Sequence, residues 1–159
     1  MQVNPQPNKH MDWQIELLMA AQAVLATFLG GLIGWEREQH GREAGIRTYA
    51  SVCLGACVFG LVSSHIPNMA DNTRIAAQIV SGVGFLGAGV IMHDQGRLKG
   101  LTTAGSLWAT AAVGLAIAFG MYVLGILTAL LLYGLLALHH LPGWGRVKPP
   151  LERPPGGEE

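Results

Sequence analysis

Charged side chains are scarce in this sequence, and their scarcity argues against an ordinary soluble domain. Asp, Glu, Lys and Arg together make up 13% of the 159 residues, whereas about 25% is usual for a soluble domain. Half of the residues are hydrophobic, and the mean hydropathy is +0.37. The 10 basic residues balance the 10 acidic ones, so no excess of positive charge indicates a nucleic-acid partner. This composition predicts a protein whose main partner is the lipid bilayer.

Four long stretches contain no charged residue, and their lengths match the thickness of a membrane. They have 19, 23, 19 and 46 residues and cover 17–35, 48–70, 75–93 and 100–145. An α-helix rises about 1.5 Å per residue and a hydrocarbon core is about 30 Å thick, so one crossing needs roughly 20 residues. The first three stretches each suit one crossing, and the fourth suits two. Because lipid does not tolerate a bare polar backbone, we expect these crossings to be helical.

The stretches predict an all-α membrane protein, a polytopic bundle of about five transmembrane helices within residues 13–140. Proline, asparagine and glycine near the ends of the stretches set the expected bounds. The expected helices cover about 13–35, 48–66, 74–92, 102–119 and 122–140. Residues 1–12 form a polar leader that we expect to be flexible, and residues 141–159 form a Pro-rich tail that we expect to be disordered.

The basic residues predict how this bundle is oriented. Cytoplasmic connectors of membrane proteins are enriched in Lys and Arg. With five crossings, eight of the ten basic residues fall on one side, and only Lys9 and Arg74 fall on the other. We therefore expect the N-terminus outside and the C-terminus in the cytoplasm. The eight residues are Arg37, Arg42, Arg47, Arg97, Lys99, Arg146, Lys148 and Arg153.

Small residues recur at spacings that suit helix packing. The packing candidates are Gly30 and Gly34 on the first helix and Gly82, Gly84, Gly87 and Gly89 on the third. Small side chains let helix backbones approach closely in lipid. Two interpretations stay open: tight packing within one chain, or the interface of a homo-oligomer or of a partner.

Polar side chains inside the apolar stretches also admit two interpretations. Arg74, Gln78 and Ser81 share one side of the third helix, and Thr103 and Ser106 belong to a stripe on the fourth. They either join helices by hydrogen bonds or line a path for a small solute or ion. A path for a divalent cation usually has carboxylates at depth. No Asp or Glu lies deep in any stretch, which counts against a dedicated magnesium transporter.

Charged residues gather instead at the expected cytoplasmic edge. Glu36 and Asp94 lie in the two basic connectors, together with Arg47 and Lys99. They are either solvated topology signals or a charge network that presents a binding surface to a partner. Nothing in the pattern indicates a metal site, a cofactor or an enzyme: Cys53 and Cys57 suit helix packing, and the histidines are scattered.

Four segments, residues 31–38, 44–48, 74–91 and 99–108, resemble the MgtC/SapB/YhiD family of bacterial inner-membrane proteins. The resemblance covers about residues 16–138. It implies a multi-pass inner-membrane protein associated with growth in low magnesium, with acid stress and with the survival of some pathogens in macrophages. It also implies a regulator that acts through membrane partners, including the F-type ATP synthase, rather than a magnesium carrier.

The resemblance also implies which residues matter. Its motif residues are Glu36, Arg37, Gly45, Arg47, Thr48, Arg74, Gly82, Gly84, Gly87, Gly89, Thr102, Thr103 and Trp108. Gln78, Asp94 and Lys99 complete the candidate functional residues. MgtC-type members carry a soluble domain after the last helix, whereas this sequence ends about 19 residues after His140. We therefore expect a short, membrane-only form that acts as a regulator; the alternative is an oligomeric transporter or channel for magnesium or another ion.

Overall fold

The structure is a computed structural model, and it describes residues 13–65, 73–94 and 97–138. The predicted leader and tail lie outside the described residues. Five helices occupy most of the described chain, as the predicted all-α class requires. They are α1 (Trp13–Gln39), α2 (Ile46–His65), α3 (Thr73–Val90), α4 (Leu101–Ala118) and α5 (Tyr122–Ala137). Between α3 and α4, strands β1 (Met92–Asp94) and β2 (Arg97–Lys99) pair as an antiparallel hairpin.

Two features differ from the sequence-based expectation. α1 continues past Trp35 to Gln39, because Glu, Arg and Gln are good helix formers and nothing in that segment breaks the helix. Arg37 therefore belongs to a helix and not to a connector. The hairpin was not expected either; its strands have only three residues each, too few for an alternating pattern to be recognised.

α4 is the central helix of the bundle, since it contacts each of the other four. Its buried positions are filled mainly by small residues, among them Ala104, Ala111, Gly114 and Ala118. Small side chains allow several helices to pack against one without leaving voids. The main core also includes side chains from α1, α2 and α5.

α2 is held between α1 and α4 by two glycines that face the same residue. A Cβ at Gly30 of α1 would lie 2.6 Å from Cys53 Cβ and 2.6 Å from the carbonyl oxygen of Tyr49. On the opposite side, a Cβ at Gly114 of α4 would overlap the carbonyl oxygen of Cys53. Both helices therefore approach α2 as closely as backbone atoms allow.

The outer surface of the helices is apolar and suits lipid. Large hydrophobic side chains are exposed on every helix, including Phe28, Phe59, Phe85, Trp108 and Leu131. By length and composition, three of the described helices could cross a membrane, namely α1, α2 and α4. The apolar parts of α3 and α5 are shorter. The chain is a membrane protein; the number of crossings stays a prediction.

The Gly114 contact gives a stability prediction. Gly114→Ala places a methyl group against the α2 backbone, and we expect it to lower the free energy of unfolding by about 2 kcal/mol, as overpacking does. The matched control is Gly134→Ala on α5, where an added Cβ meets nothing within 4 Å. Thermal unfolding in detergent, followed by circular dichroism, measures both. Equal midpoints for the two variants would contradict the packing described here.

Candidate functional site

α1 carries two charged side chains into the bundle at its C-terminal end. Glu36 is 2% exposed and Arg37 is 4% exposed. Glu36 Oε2 lies 3.7 Å from Arg37 Nη1, and Glu36 Oε1 lies 3.3 Å from His40 Nδ1. His40 Nδ1 also lies 2.5 Å from the main-chain carbonyl oxygen of Glu36. The three side chains thus form one charged group at the C-terminal end of α1, with His40 in the first position after the helix.

This charged group is incompletely satisfied. Within the described part of the chain, neither carboxylate oxygen of Glu36 has a hydrogen-bond partner, and neither does Arg37 Nε. Burying charges without full hydrogen bonding costs several kcal/mol per ion by general estimates. Ionisable residues kept inside a membrane protein at such a cost usually serve function. Glu36 and Arg37 are therefore the centre of the candidate site.

A ladder of hydroxyl groups lies beside this charged group and joins α2 to α4. Tyr49 is completely buried, and its hydroxyl lies 2.5 Å from Ser106 Oγ. Ser106 Oγ donates to the carbonyl oxygen of Thr103 at 2.9 Å, so Tyr49 is the donor to Ser106. Thr110 Oγ1 donates to the carbonyl oxygen of Ser106 at 2.8 Å. Arg37 is close enough to interact electrostatically with the Tyr49 hydroxyl.

Further along the bundle, Gln22 of α1 donates from Nε2 to the carbonyl oxygen of Ile117 at 2.7 Å. The buried Gln22 and Ser106 therefore take part in hydrogen bonds between helices, Gln22 with Ile117 and Ser106 with Tyr49. That is the arrangement expected if these residues join helices. Sequence reasoning did not select Tyr49, although a tyrosine inside an apolar helix requires a partner for its hydroxyl.

A cavity of about 430 Å³, here called the Arg37 pocket, opens at this end of the bundle. Its wall comes from the end of α1 and the connector after it, from the hairpin, from the first turn of α4 and from the end of α5. Lining residues include Arg37, Arg42, Leu98, Gly100, Thr103 and Leu138. The two basic connectors thus meet at the same end of the bundle. Which side of a membrane that end faces stays a prediction.

The other predicted residues near this end are more dispersed. Arg47 and Thr48 are exposed on α2, and Lys99 is exposed on β2. Thr102 is exposed and Thr103 buried in the first turn of α4. The Asp94 side chain lies outside the described side chains. The ion pairs of Glu36 given above are with Arg37 and with His40, the residue directly after α1, so a charge network linking the two connectors stays a prediction.

α3 presents a different kind of surface. Ser81 and the predicted residues Arg74 and Gln78 are exposed, and so is Phe85 at 81%. Among the predicted glycines, Gly87 faces α4: an added Cβ there would lie 3.5 Å from Ala104 Cβ. An added Cβ at Gly82, Gly84 or Gly89 would meet nothing within 4 Å. Trp108 of α4 is 51% exposed. α3 is thus attached to the bundle by one side only.

An apolar groove of about 500 Å³ runs between α2 and α3. Ser51, Gly55, Gln78, Gly82 and Leu86 are among the residues that line it. Gly55 resembles Gly82 in that an added Cβ would meet nothing within 4 Å. The groove is therefore floored by small residues from both helices, with two polar side chains, Ser51 and Gln78, along it.

Metal-ligating side chains are not grouped in the described residues. No cluster of three or more His, Cys, Asp or Glu side chains there could hold a metal ion. Cys53 and Cys57 are buried free thiols in the α2 core. The site is thus a charged group with an adjoining pocket and, separately, an apolar groove.

Comparison with known proteins identifies relatives over most of the described chain. The family model described as the MgtC family matches residues 23–141. Protein MgtC of Brucella abortus is 46% identical over 111 residues, which cover 70% of this chain and 47% of that protein. Protein MgtC of Salmonella typhimurium is 50% identical over 97 residues, which cover 61% of this chain and 42% of that protein.

YhiD of Escherichia coli, named as a candidate magnesium transporter, is 40% identical over 125 residues, covering 74% of this chain and 58% of YhiD. The chain therefore spans about half the length of the curated relatives that it matches. No solved structure matches it.

Glu36 gives a prediction for the charged group. Glu36→Ala leaves Arg37 buried without its carboxylate neighbour, and we expect the free energy of unfolding to fall by about 2 kcal/mol, less than for a well-formed buried pair. Glu43→Ala, an exposed carboxylate in the following connector, should change it by less than about 0.5 kcal/mol. Thermal unfolding in detergent compares them. Removing both charges, in Glu36→Gln with Arg37→Gln, should restore part of the loss; a Glu36→Ala midpoint equal to wild type would refute the role of the pair.

Proposed function

The chain belongs to the MgtC family, and we propose that it is a multi-pass protein of the bacterial inner membrane that regulates adaptation to low magnesium or acid. We propose that it has no enzymatic activity and acts by binding other membrane proteins, of which the F-type ATP synthase is one candidate. We also propose that the chain forms a homo-oligomer, because an oligomer carries one groove on each copy and so offers several binding sites to partners.

The observation that carries this proposal is the open glycine-lined groove between α2 and α3. Three glycines of α1 and α4 are in close contact with their neighbours: Gly30 and Gly34 meet α2 or the residue before it, and Gly114 meets the α2 backbone. Gly55 and Gly82, in contrast, have no neighbour within 4 Å of an added Cβ. Exposed small residues on a lipid-embedded helix are typical of surfaces to which another helix binds.

The small share of α3 in the main core supports the same proposal. Helices α1, α2, α4 and α5 all supply residues to the main core, whereas Val83 of α3 belongs to a small second cluster with Ala56 and Ala111. Because α3 packs against the bundle on one side, its other side can bind a partner while the main core stays intact. We propose that a partner helix fills the groove and packs against Gly55 and Gly82.

We propose the cytoplasm for the end of the bundle that carries the Arg37 pocket. Arg37 and Arg42 line the pocket, and Lys99 of β2 directly follows the lining residue Leu98 in sequence. Positive residues next to membrane helices favour the cytoplasmic side. This orientation would put the N-terminus of α1 outside, as the sequence predicts.

Filling the groove tests the proposal. Gly55→Leu and Gly82→Leu add side chains where the chain itself has open space, so we expect wild-type yield and thermal unfolding. Growth of a bacterial strain that lacks its own copy should nevertheless fail at limiting magnesium, because the partner helix is displaced. Gly134→Leu on α5 is the matched control, since its site is also open, and it should grow as wild type. Normal growth of the two groove variants would refute the proposal.

Ion transport is the second candidate function. The name of YhiD supports it, and so do the buried charges of Glu36 and Arg37. Against it, the buried Gln22, Ser106 and Thr110 donate their hydrogen bonds to main-chain carbonyl groups of the chain itself.

Flux measurements separate the two functions. We expect purified protein in liposomes to move no more Mg²⁺ than empty vesicles, as reported by a dye trapped inside. The positive control is a known magnesium channel in the same vesicles. Flux above the empty-vesicle level that falls in Glu36→Ala would establish transport and overturn the regulator proposal.

A further inference from the structure

The first turn of α4 points into the Arg37 pocket. The first helical hydrogen bond of α4 runs from Ala104 N to the carbonyl oxygen of Gly100 at 2.8 Å. The main-chain N–H groups of Leu101, Thr102 and Thr103 precede it and have no acceptor within the helix. Gly100 occupies the N-cap position, and no side chain of the described residues caps the helix there. This end of α4 carries partial positive charge.

Two arginines line the same pocket from the opposite side. Arg37 reaches it from the end of α1, and Arg42 reaches it from the connector. Arg37 is 4% exposed, yet its Nε–H has no hydrogen-bond partner among the described residues. A buried guanidinium with an unused donor indicates a missing acceptor. This observation is independent of the helix end and points to the same space.

Glu36 forms an ion pair with Arg37. Its Oε2 lies 3.7 Å from Arg37 Nη1, which is beyond hydrogen-bond distance, and Glu36 is not among the residues that line the pocket. It therefore offsets part of the Arg37 charge. The described residues that line the pocket include two arginines and no carboxylate, and the first turn of α4 adds its partial positive charge.

Part of the pocket wall is apolar. Leu98 and Leu101 are 64% and 63% exposed, and Leu135 of α5 is 64% exposed. All three line the pocket. The cavity thus has a positive wall on one side and, on the other, leucines that continue into the apolar outer surface. Such a wall suits a ligand that joins an anionic group to an apolar one, and it does not exclude a small anion.

We propose that the Arg37 pocket binds a phosphate group. Guanidinium groups pair with phosphate oxygens in a planar, often bidentate geometry. Main-chain N–H groups at a helix N-terminus bind phosphate through the same partial charge. The hydroxyl of Thr102 is a further donor on the wall. The phosphate is either the headgroup of an anionic phospholipid or free inorganic phosphate, and this site is separate from the groove between α2 and α3.

Two binding measurements on the detergent-purified full chain distinguish these sources. One titrates dioleoyl phosphatidylglycerol and, as a control without phosphate, dioleoylglycerol, and it counts bound lipid by native mass spectrometry. The other titrates inorganic phosphate by isothermal calorimetry. We expect saturable binding in at least one titration and no binding of dioleoylglycerol above the level of empty detergent.

Single arginine variants locate the binding. Arg42→Gln should raise the dissociation constant about fivefold, which is the upper range for an exposed charge pair. Arg47→Gln is the matched control, because Arg47 is exposed nearby on α2 but does not line the pocket, and it should leave binding unchanged. Arg37→Gln should weaken binding further, with folding checked by thermal unfolding.

Each outcome decides the proposal. Phosphatidylglycerol binding that weakens in Arg42→Gln and Arg37→Gln but not in Arg47→Gln supports a lipid phosphate, and inorganic phosphate binding with the same dependence supports a free one. No saturable binding in either titration would overturn the proposal. Equal weakening by Arg42→Gln and Arg47→Gln would overturn it too, because binding would then follow overall charge and not the pocket.

Discussion

The close contact of α2 with both α1 and α4 at Cys53 is the constraint on which the rest of the structure depends. Gly30 and Gly114 lie against opposite sides of this residue, and neither position has room for a Cβ. The contact fixes the register of all three helices. Arg37 lies about two turns beyond Gly30, Tyr49 about one turn before Cys53, and Ser106 about two turns before Gly114. The charged group and the hydroxyl ladder lie side by side because Gly30 and Gly114 both pack against α2 at Cys53.

This arrangement divides the molecule into four helices that share the main core and a fifth, α3, that packs outside it. Helices α1, α2, α4 and α5 share the main core. Gln22 of α1 donates to a main-chain carbonyl of α4, and Tyr49 of α2 bonds to the Ser106 side chain of α4. α3 contributes little to that core and leaves Gly82 and Phe85 uncovered. Glycine plays opposite roles in the two parts: it closes the contact at Gly114 and opens a groove at Gly82.

The sequence alone predicts the all-α class, because charge-free stretches of membrane length have few other solutions. It does not tell which glycines contact another helix. Gly30 and Gly82 look alike in a small-residue pattern and differ only in the residues that surround them in the folded structure. It places Glu36 and Arg37 at an exposed edge, because it ends α1 four residues early. The partnership of Tyr49 with Ser106 joins residues 57 apart, and no local periodicity encodes it.

The groove and the Arg37 pocket are joined by the connector between α3 and α4. The hairpin leads from the end of α3 directly to the first turn of α4, and Leu98 and Gly100 line the pocket. Gly100 has φ +85°, and a Cβ there would overlap the carbonyl oxygen of Val90, the last residue of α3. A ligand that shifts the hairpin therefore moves the end of α3. The ligand changes the affinity for the partner only to the extent that the ligand itself binds more tightly to one position of α3 than to another. Coupling between the pocket and the groove must therefore be measured with both sites occupied.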